Sequence, residues 1–171
     1  MENFCENEND NYQVIKKGNV EYYCYNNGKV TRKEKVEYRF SNGQIWFKGT
    51  LVNGKKHGLC EYYNTNNRID KKGECDNDKR QGLWEHYHHF GELWLKGIYI
   101  NDKRHGLWEE YDCLGKLSGK GTYVNGEKHG LWEYYDYLGR IDYKVIYVSD
   151  KKCFQFKEKK NFIFGKYYKI F

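Results

Sequence analysis

The chain has 171 residues, of which 19% are aromatic and 32% charged, and its formal net charge is +6 at pH 7. Disordered chains are poor in aromatic residues, so this composition excludes a wholly disordered protein and predicts one that buries many rings. No apolar run approaches the roughly 20 residues of a membrane-spanning helix, and no signal peptide is visible, so we expect an intracellular, cytoplasmic protein.

Residues 1–13 precede the repetitive part of the chain. Their sequence, MENFCENENDNYQ, is acidic and rich in asparagine, which predicts a disordered N-terminus. The repetitive part is predicted to run from residue 14 to residue 150 and to begin with an irregular unit at 14–34. In this first unit the pair Val20-Glu21 precedes the similar pair Val36-Glu37 by less than the spacing found later in the chain.

The body of the chain repeats itself every 24 residues. Two glycine series keep this spacing: Gly58, Gly82, Gly106 and Gly130, and Gly49, Gly73, Gly97 and Gly121. Turn-forming pairs such as Asn53-Gly54 and Asn125-Gly126 keep it as well. Agreement between independent series at one period is typical of a tandem repeat protein.

Each repeat holds two runs suited to strands, such as GLWEEYD and KLSGKGTYV, with turn residues between them. Aromatic and β-branched residues favour strands, and glycine in the middle of a run disfavours a helix. One repeat is therefore predicted to be a β-hairpin of about 24 residues. The predicted fold class is all-β, an elongated single-layer antiparallel meander of tandem hairpins whose repeats share their core.

A register follows from the sizes and charges of the side chains. If Val124 pairs with His129 around a four-residue loop, Tyr123 faces Gly130 and Gly121 faces Trp132. The same register, applied to every repeat, pairs a lysine with a glutamate across the strands: Lys120–Glu133, Lys96–Glu109, Lys72–Glu85 and Lys48–Glu61. Cross-strand pairs of this kind contribute about 0.2–1 kcal/mol each. We therefore predict rings over glycines on one face and a Lys–Glu ladder on the wetter face.

Two segments resemble MORN repeats: YINDKRHGLWEEYDCLGK (99–116) and YVNGEKHGLWEYYDYLGR (123–140). The closest form is the G-x-W-x-x-Y variant, which is also found in antitoxin-like bacterial proteins. The resemblance covers about Lys35 to Val148. It implies an elongated single-layer sheet that acts as a scaffold in protein contact, dimerisation or binding to acidic lipid. The flanking segments are too short to fold as enzymes.

No set of residues predicts a catalytic site, a cofactor or a metal site. Histidines recur at one slot of the repeat, where glutamine also stands once, so they are interpreted as structural residues beside turns. His86 and His88 would share one face of a strand, but no cysteine or carboxylate with ligand spacing lies nearby. The six cysteines form no C-x-x-C pair, and Cys60 and Cys75 are expected to be buried substitutes for tryptophan and tyrosine.

The turns after the second strands are basic. Their basic residues are Lys55, Lys56, Lys79, Arg80, Lys103, Arg104 and Lys128. Because hairpins alternate ends, these turns are predicted to line one edge of the sheet at a spacing of about 10 Å. They are either solvated turns or contacts for an anionic surface such as lipid headgroups. Residues 151–171 add further lysines between rings and are predicted to form a basic aromatic C-terminal cap.

The sequence therefore predicts a non-enzymatic repeat protein that acts as a protein-interaction scaffold. One alternative is a peripheral binder of anionic membrane through the basic turns, an attraction that salt would weaken. Another is an antitoxin-like binder of a protein partner, which rests on the resemblance alone. A protein partner is expected without being identified, nucleic acid is not expected to bind, and the sheet ends offer a route to homo-oligomers.

Overall fold

The computed structural model describes residues 4–6, 12–18, 20–25 and 28–157. These residues form strands joined by turns, and none of them belongs to a helix that could span a membrane. The strands are β1 Phe4–Glu6, β2 Tyr12–Lys17, β3 Val20–Tyr25, β4 Val30–Arg39, β5 Ile45–Val52, β6 Lys55–Tyr63, β7 Ile69–Asp76, β8 Lys79–Tyr87, β9 Leu93–Ile100, β10 Lys103–Tyr111, β11 Leu117–Val124, β12 Glu127–Tyr135, β13 Ile141–Val148 and β14 Lys151–Lys157.

Two compact units are distinguished by their internal contacts, Met1–Lys79 and Arg80–Phe171. Within each unit the strands follow chain order, and each pairs antiparallel with the next. Strands β6, β8, β10 and β12 have the same length and the same alternation of exposed and buried residues. The predicted all-β meander of repeated hairpins is thereby confirmed.

The predicted boundaries fall partly outside the described residues. Residues 1–13, predicted to be disordered, include β1, which pairs with β2, and the start of β2; the remainder is not described. In the predicted irregular unit at 14–34, the pairs β2–β3 and β3–β4 have a continuous register, whereas the later pairs shift. Of the predicted cap, Lys151–Lys157 form β14, and residues 158–171 lie outside the described residues.

The predicted four-residue loop is wrong. Val124 pairs with Glu127 around a two-residue turn, and Tyr123 faces Lys128 in place of Gly130. Both turn residues have a positive φ, 53° at Asn125 and 96° at Gly126. Primed turns of this kind match the twist of two-residue hairpins, and Asn-Gly is their strongest sequence signal.

A bulge restores the predicted pairing beyond the turn. Thr122 faces His129 while Lys120 faces Glu133, so β12 contains two extra residues between these pairs. Gly130, with φ 71°, begins the bulge, as expected where the backbone must be left-handed. Beyond it the predicted Lys120–Glu133 pair and the position of Trp132 over Gly121 are confirmed.

The core lies on one face of the strands of each unit, here called the core face. In the second unit it contains Leu95, Val145 and three tryptophans that alternate with three tyrosines: Trp84, Tyr99, Trp108, Tyr123, Trp132 and Tyr147. Tyr123 meets Trp132 edge to face, with ring centroids 5.2 Å apart at 90°, a geometry that adds to the effect of burial alone. In the first unit Cys60 and Cys75 are buried as predicted, and neither forms a disulfide bond.

Candidate interaction surfaces

The face opposite the core carries the Lys–Glu ladder. In the second unit the register aligns Glu85, Lys96, Glu109, Lys120, Glu133 and Lys144 across consecutive strands. The predicted Lys96–Glu109 and Lys120–Glu133 pairs are confirmed there, and Lys48–Glu61 in the first unit. The Lys72–Glu85 pair stays a prediction.

Tyrosine hydroxyls complete the ladder. Glu133 accepts a hydrogen bond from the Tyr135 hydroxyl at 2.9 Å. The Lys144 Nζ lies 3.1 Å from Glu133 Oε1, and the Lys120 Nζ lies 3.2 Å from Glu133 Oε2. These bonds, that from Tyr135 first, lower the pKa of Glu133 to about 2. A tyrosine also stands two residues after each of the other ladder glutamates. For example, the Tyr111 hydroxyl donates a hydrogen bond to Glu109. The Glu133 carboxylate is thus held ionised by its neighbours, whereas a general acid or base needs a pKa near the working pH.

The seven predicted anion contacts divide into two groups. Lys55, Lys79 and Lys103 directly follow the turns and are exposed. The residues one step further along are half-buried against the core face: Lys56, Arg80, Arg104 and Lys128. Successive side chains of a strand point to opposite faces, which explains the division. The residues of the second group are therefore more than solvated turn residues, and contact of the seven with anions stays a prediction.

The half-buried cations cover the aromatic core. The Lys128 Nζ lies 3.7 Å from the centroid of Trp132 and donates to Glu110 and to the Tyr134 hydroxyl, both at 3.1 Å. The Arg80 guanidinium carbon lies 4.0 Å from the centroid of Tyr99. A cation over a ring contributes about 0.5–2 kcal/mol, more as it is desolvated. These cations therefore belong to the core.

Each basic turn is also tied to the hairpin before it. Asp102 N–H donates to the carbonyl of Arg80 at 3.1 Å, and Arg80 N–H donates to Asp102 Oδ1 at 3.0 Å. The same reciprocal pair joins Asp78 to Lys56 and Asp150 to Lys128. This hydrogen-bonding role of the turn aspartates was not predicted. The signal was an aspartate that recurs, with gaps, at the second turn position at the 24-residue period.

The histidines are dispersed. His57 Nδ1 lies 3.2 Å from Asp76 Oδ1 on an exposed surface, and His86 Nε2 lies 3.4 Å from the Tyr99 hydroxyl on the core face. His88 Nε2 approaches the carbonyl of Tyr111 at 3.4 Å. Within the described ranges no three His, Cys, Asp or Glu residues are grouped so as to hold a metal ion.

The second unit carries an exposed apolar row on the face opposite the core, which sequence reasoning missed. Leu83, Leu107 and Leu131 are 50%, 57% and 48% exposed. The register sets Leu83 opposite Ile98, and Leu131 opposite the half-buried Ile146, which in turn faces Phe154, whereas Leu107 faces Thr122. We call these six residues the outer row. The signal was the leucine that precedes each buried tryptophan, since neighbours along a strand point to opposite faces.

The comparisons with known proteins agree with this repeat geometry. The family model of the MORN repeat matches residues 47–68 and 120–131. The first match covers most of the β5–β6 hairpin and its following loop, and the second spans the Asn125-Gly126 turn and the bulge at Gly130. No curated protein matches the chain in sequence.

Proposed function

We propose that this chain, which is a MORN-repeat protein, acts as a non-enzymatic scaffold that binds a protein partner through its outer row. MORN repeats are compatible with a non-enzymatic role. The observation that carries the proposal is the outer row itself. Single exposed apolar side chains are common, whereas an apolar group aligned across neighbouring strands is typical of interaction sites.

The surroundings of the outer row favour protein over lipid as the occupant. The row is bordered on the same face by the Lys–Glu ladder, in which the two signs of charge alternate. Alternating charges give little net potential to attract anionic headgroups. An apolar centre with a polar rim is instead the usual anatomy of a protein–protein interface. A partner with aliphatic side chains and a polar margin fits this surface, and an antitoxin-like function would be one case of it.

A matched pair of variants tests this proposal. A partner is first identified by cross-linking and mass spectrometry and is then purified and titrated by calorimetry. Replacing Leu83, Leu107 and Leu131 with serine should weaken binding at least tenfold. Each replacement removes the binding free energy of the buried leucine surface, about 25 cal/mol per Å². In the control variant, Leu114 and Leu138, which are exposed in loops, are replaced with serine. This variant should bind the partner as tightly as the wild type does. Equal affinities for both variants would contradict the proposal.

Binding to anionic membrane is a second candidate, favoured by the exposure of Lys55, Lys79 and Lys103. A lysine near such a membrane contributes about 1 kcal/mol. Replacing these three residues with glutamine should abolish sedimentation with phosphatidylserine vesicles at low salt, and the fold should survive because the half-buried cations are kept. Wild-type protein that does not sediment at low salt would rule this candidate out.

A further inference from the structure

Arg104 differs from the neighbouring cations of the core face. Arg80 Nε lies 2.8 Å from Asp102 Oδ1, and Lys128 Nζ lies 3.1 Å from Glu110 Oε1. Arg104 pairs with no carboxylate of the described residues. Its Nη1 donates to the Tyr123 hydroxyl at 2.9 Å, and its guanidinium carbon lies 4.7 Å from the centroid of Trp108. Among the residues that the structure describes, the half-buried guanidinium of Arg104 therefore has no counter-ion.

The sequence explains the missing carboxylate. The turns that face the other half-buried cations read Asn-Asp or Ser-Asp. There the aspartate Oδ1 accepts a hydrogen bond from the backbone N–H of the cationic residue, at Asp78, Asp102 and Asp150. The turn facing Arg104 ends in Gly126 instead. At the equivalent position Asp102 binds Arg80 through the Arg80 backbone N–H at 3.0 Å and through Nε at 2.8 Å. Gly126 can replace neither bond.

Among the described residues, no side chain accepts a hydrogen bond from the backbone N–H of Arg104 either. Gly126 N–H donates to the carbonyl of Arg104 at 2.9 Å. The N–H and the C=O of one strand residue point to the same side, so the N–H of Arg104 also faces this turn. In the similar turn Asn53-Gly54, Asn53 Oδ1 accepts the N–H of Arg32 at 2.9 Å, but Asn125 makes no such bond within the described part of the chain.

The position of the missing side chain is open. A Cβ built on Gly126 would meet no heavy atom closer than the Lys103 Cβ at 3.9 Å. At the equivalent place the Asp102 side chain is 46% exposed, so an occupant can enter from solvent. By analogy with Arg80, the backbone N–H and the guanidinium of Arg104 are placed beside one accessible space that Asp102 fills with a carboxylate in the preceding repeat.

We propose that Arg104 and its backbone N–H bind a carboxylate supplied by an aspartate or glutamate of the protein partner, in the position that Asp102 takes at Arg80. The proposal rests on the scaffold function for the source of the carboxylate. The chemistry is a charge-assisted hydrogen-bond pair, which is shorter and stronger than a neutral one. Burial disfavours the charge of Arg104, but hydrogen bonds with the Tyr99 and Tyr123 hydroxyls outweigh this and raise its pKa, so the site stays cationic.

The test uses the full chain and a small probe, so it needs no partner. N-acetyl-aspartate is titrated at constant ionic strength against chloride, while NMR follows the backbone and Nε amides of Arg104. Wild type should show saturable shifts, with a dissociation constant on the order of tens of millimolar. Gly126→Asp recreates the Asn-Asp turn, so its own carboxylate should occupy the site and abolish the shifts without unfolding the protein.

Two controls make the outcome decisive. Gly115→Asp adds the same charge at another turn glycine of positive φ and should leave the titration unchanged. Methyl phosphate replaces the carboxylate probe in a second arm. Three results would each overturn the carboxylate site. They are shifts no larger than those with chloride, shifts that survive in Gly126→Asp, and tighter binding of methyl phosphate than of N-acetyl-aspartate. None of these results bears on the outer row, so the scaffold proposal would still stand.

Discussion

The indole of Trp132 lies directly over Gly121, so closely that a Cβ on Gly121 would fall on the ring. Gly97 stands in the same relation to Trp108. Gly121→Ala should therefore force the ring or the strand to move, and should lower the free energy of unfolding by about 1–3 kcal/mol. Thr122→Val changes the next residue, which is exposed on the other face, and should be nearly neutral. Urea unfolding of both variants makes the comparison, and equal midpoints would contradict this packing.

Lys128 should contribute to stability although it lies close to a turn. Lys128→Gln removes a cation 3.7 Å from the ring centroid of Trp132 and an ion pair with Glu110, and should cost about 1–2 kcal/mol. Lys103→Gln, at an exposed position beside another turn, serves as the matched control and should leave the thermal midpoint unchanged. If the two variants melt alike, Lys128 is an ordinary surface lysine.

The ladder predicts how stability depends on pH. The Tyr135, Lys144 and Lys120 side chains lower the pKa of Glu133 from its ordinary value of 4.5 to about 2. A carboxyl whose pKa is lower in the folded state stabilises the fold above its unfolded pKa, and this contribution is lost as pH falls through the folded pKa. Glu133→Gln should therefore flatten the loss of stability between about pH 4.5 and pH 2. Glu127→Gln, at an exposed turn, should keep the wild-type slope; a wild-type slope in Glu133→Gln as well would contradict the ladder.

The sequence was sufficient to predict the fold class and much of the register. The 24-residue period, the glycines and the strand-forming runs predict repeated hairpins, and the match of ring to glycine places Trp132 over Gly121. These features depend on local preferences and on cross-strand neighbours that the period brings together. Their prediction needs no knowledge of long-range packing.

The role of Lys128 was missed because of one error in loop length. A four-residue loop leaves Lys128 in the loop and in solvent, whereas the two-residue turn at Asn125-Gly126 places it in β12, opposite Tyr123. Alternation along the strand then directs it to the core face. The outer row does not depend on that error, because Leu131 directly precedes Trp132 in β12 and alternation alone points it to the opposite face.

Site-specific photo-cross-linking tests most directly whether the outer row contacts a protein. A benzophenone side chain is introduced at Leu107 or Leu131 in the outer row, or at Leu114 in an exposed loop, and the cells that express the protein are irradiated. We expect one protein to be cross-linked from both positions of the outer row and not from Leu114. Cross-links to lipid from the outer row, or the same proteins captured from all three positions, would contradict it.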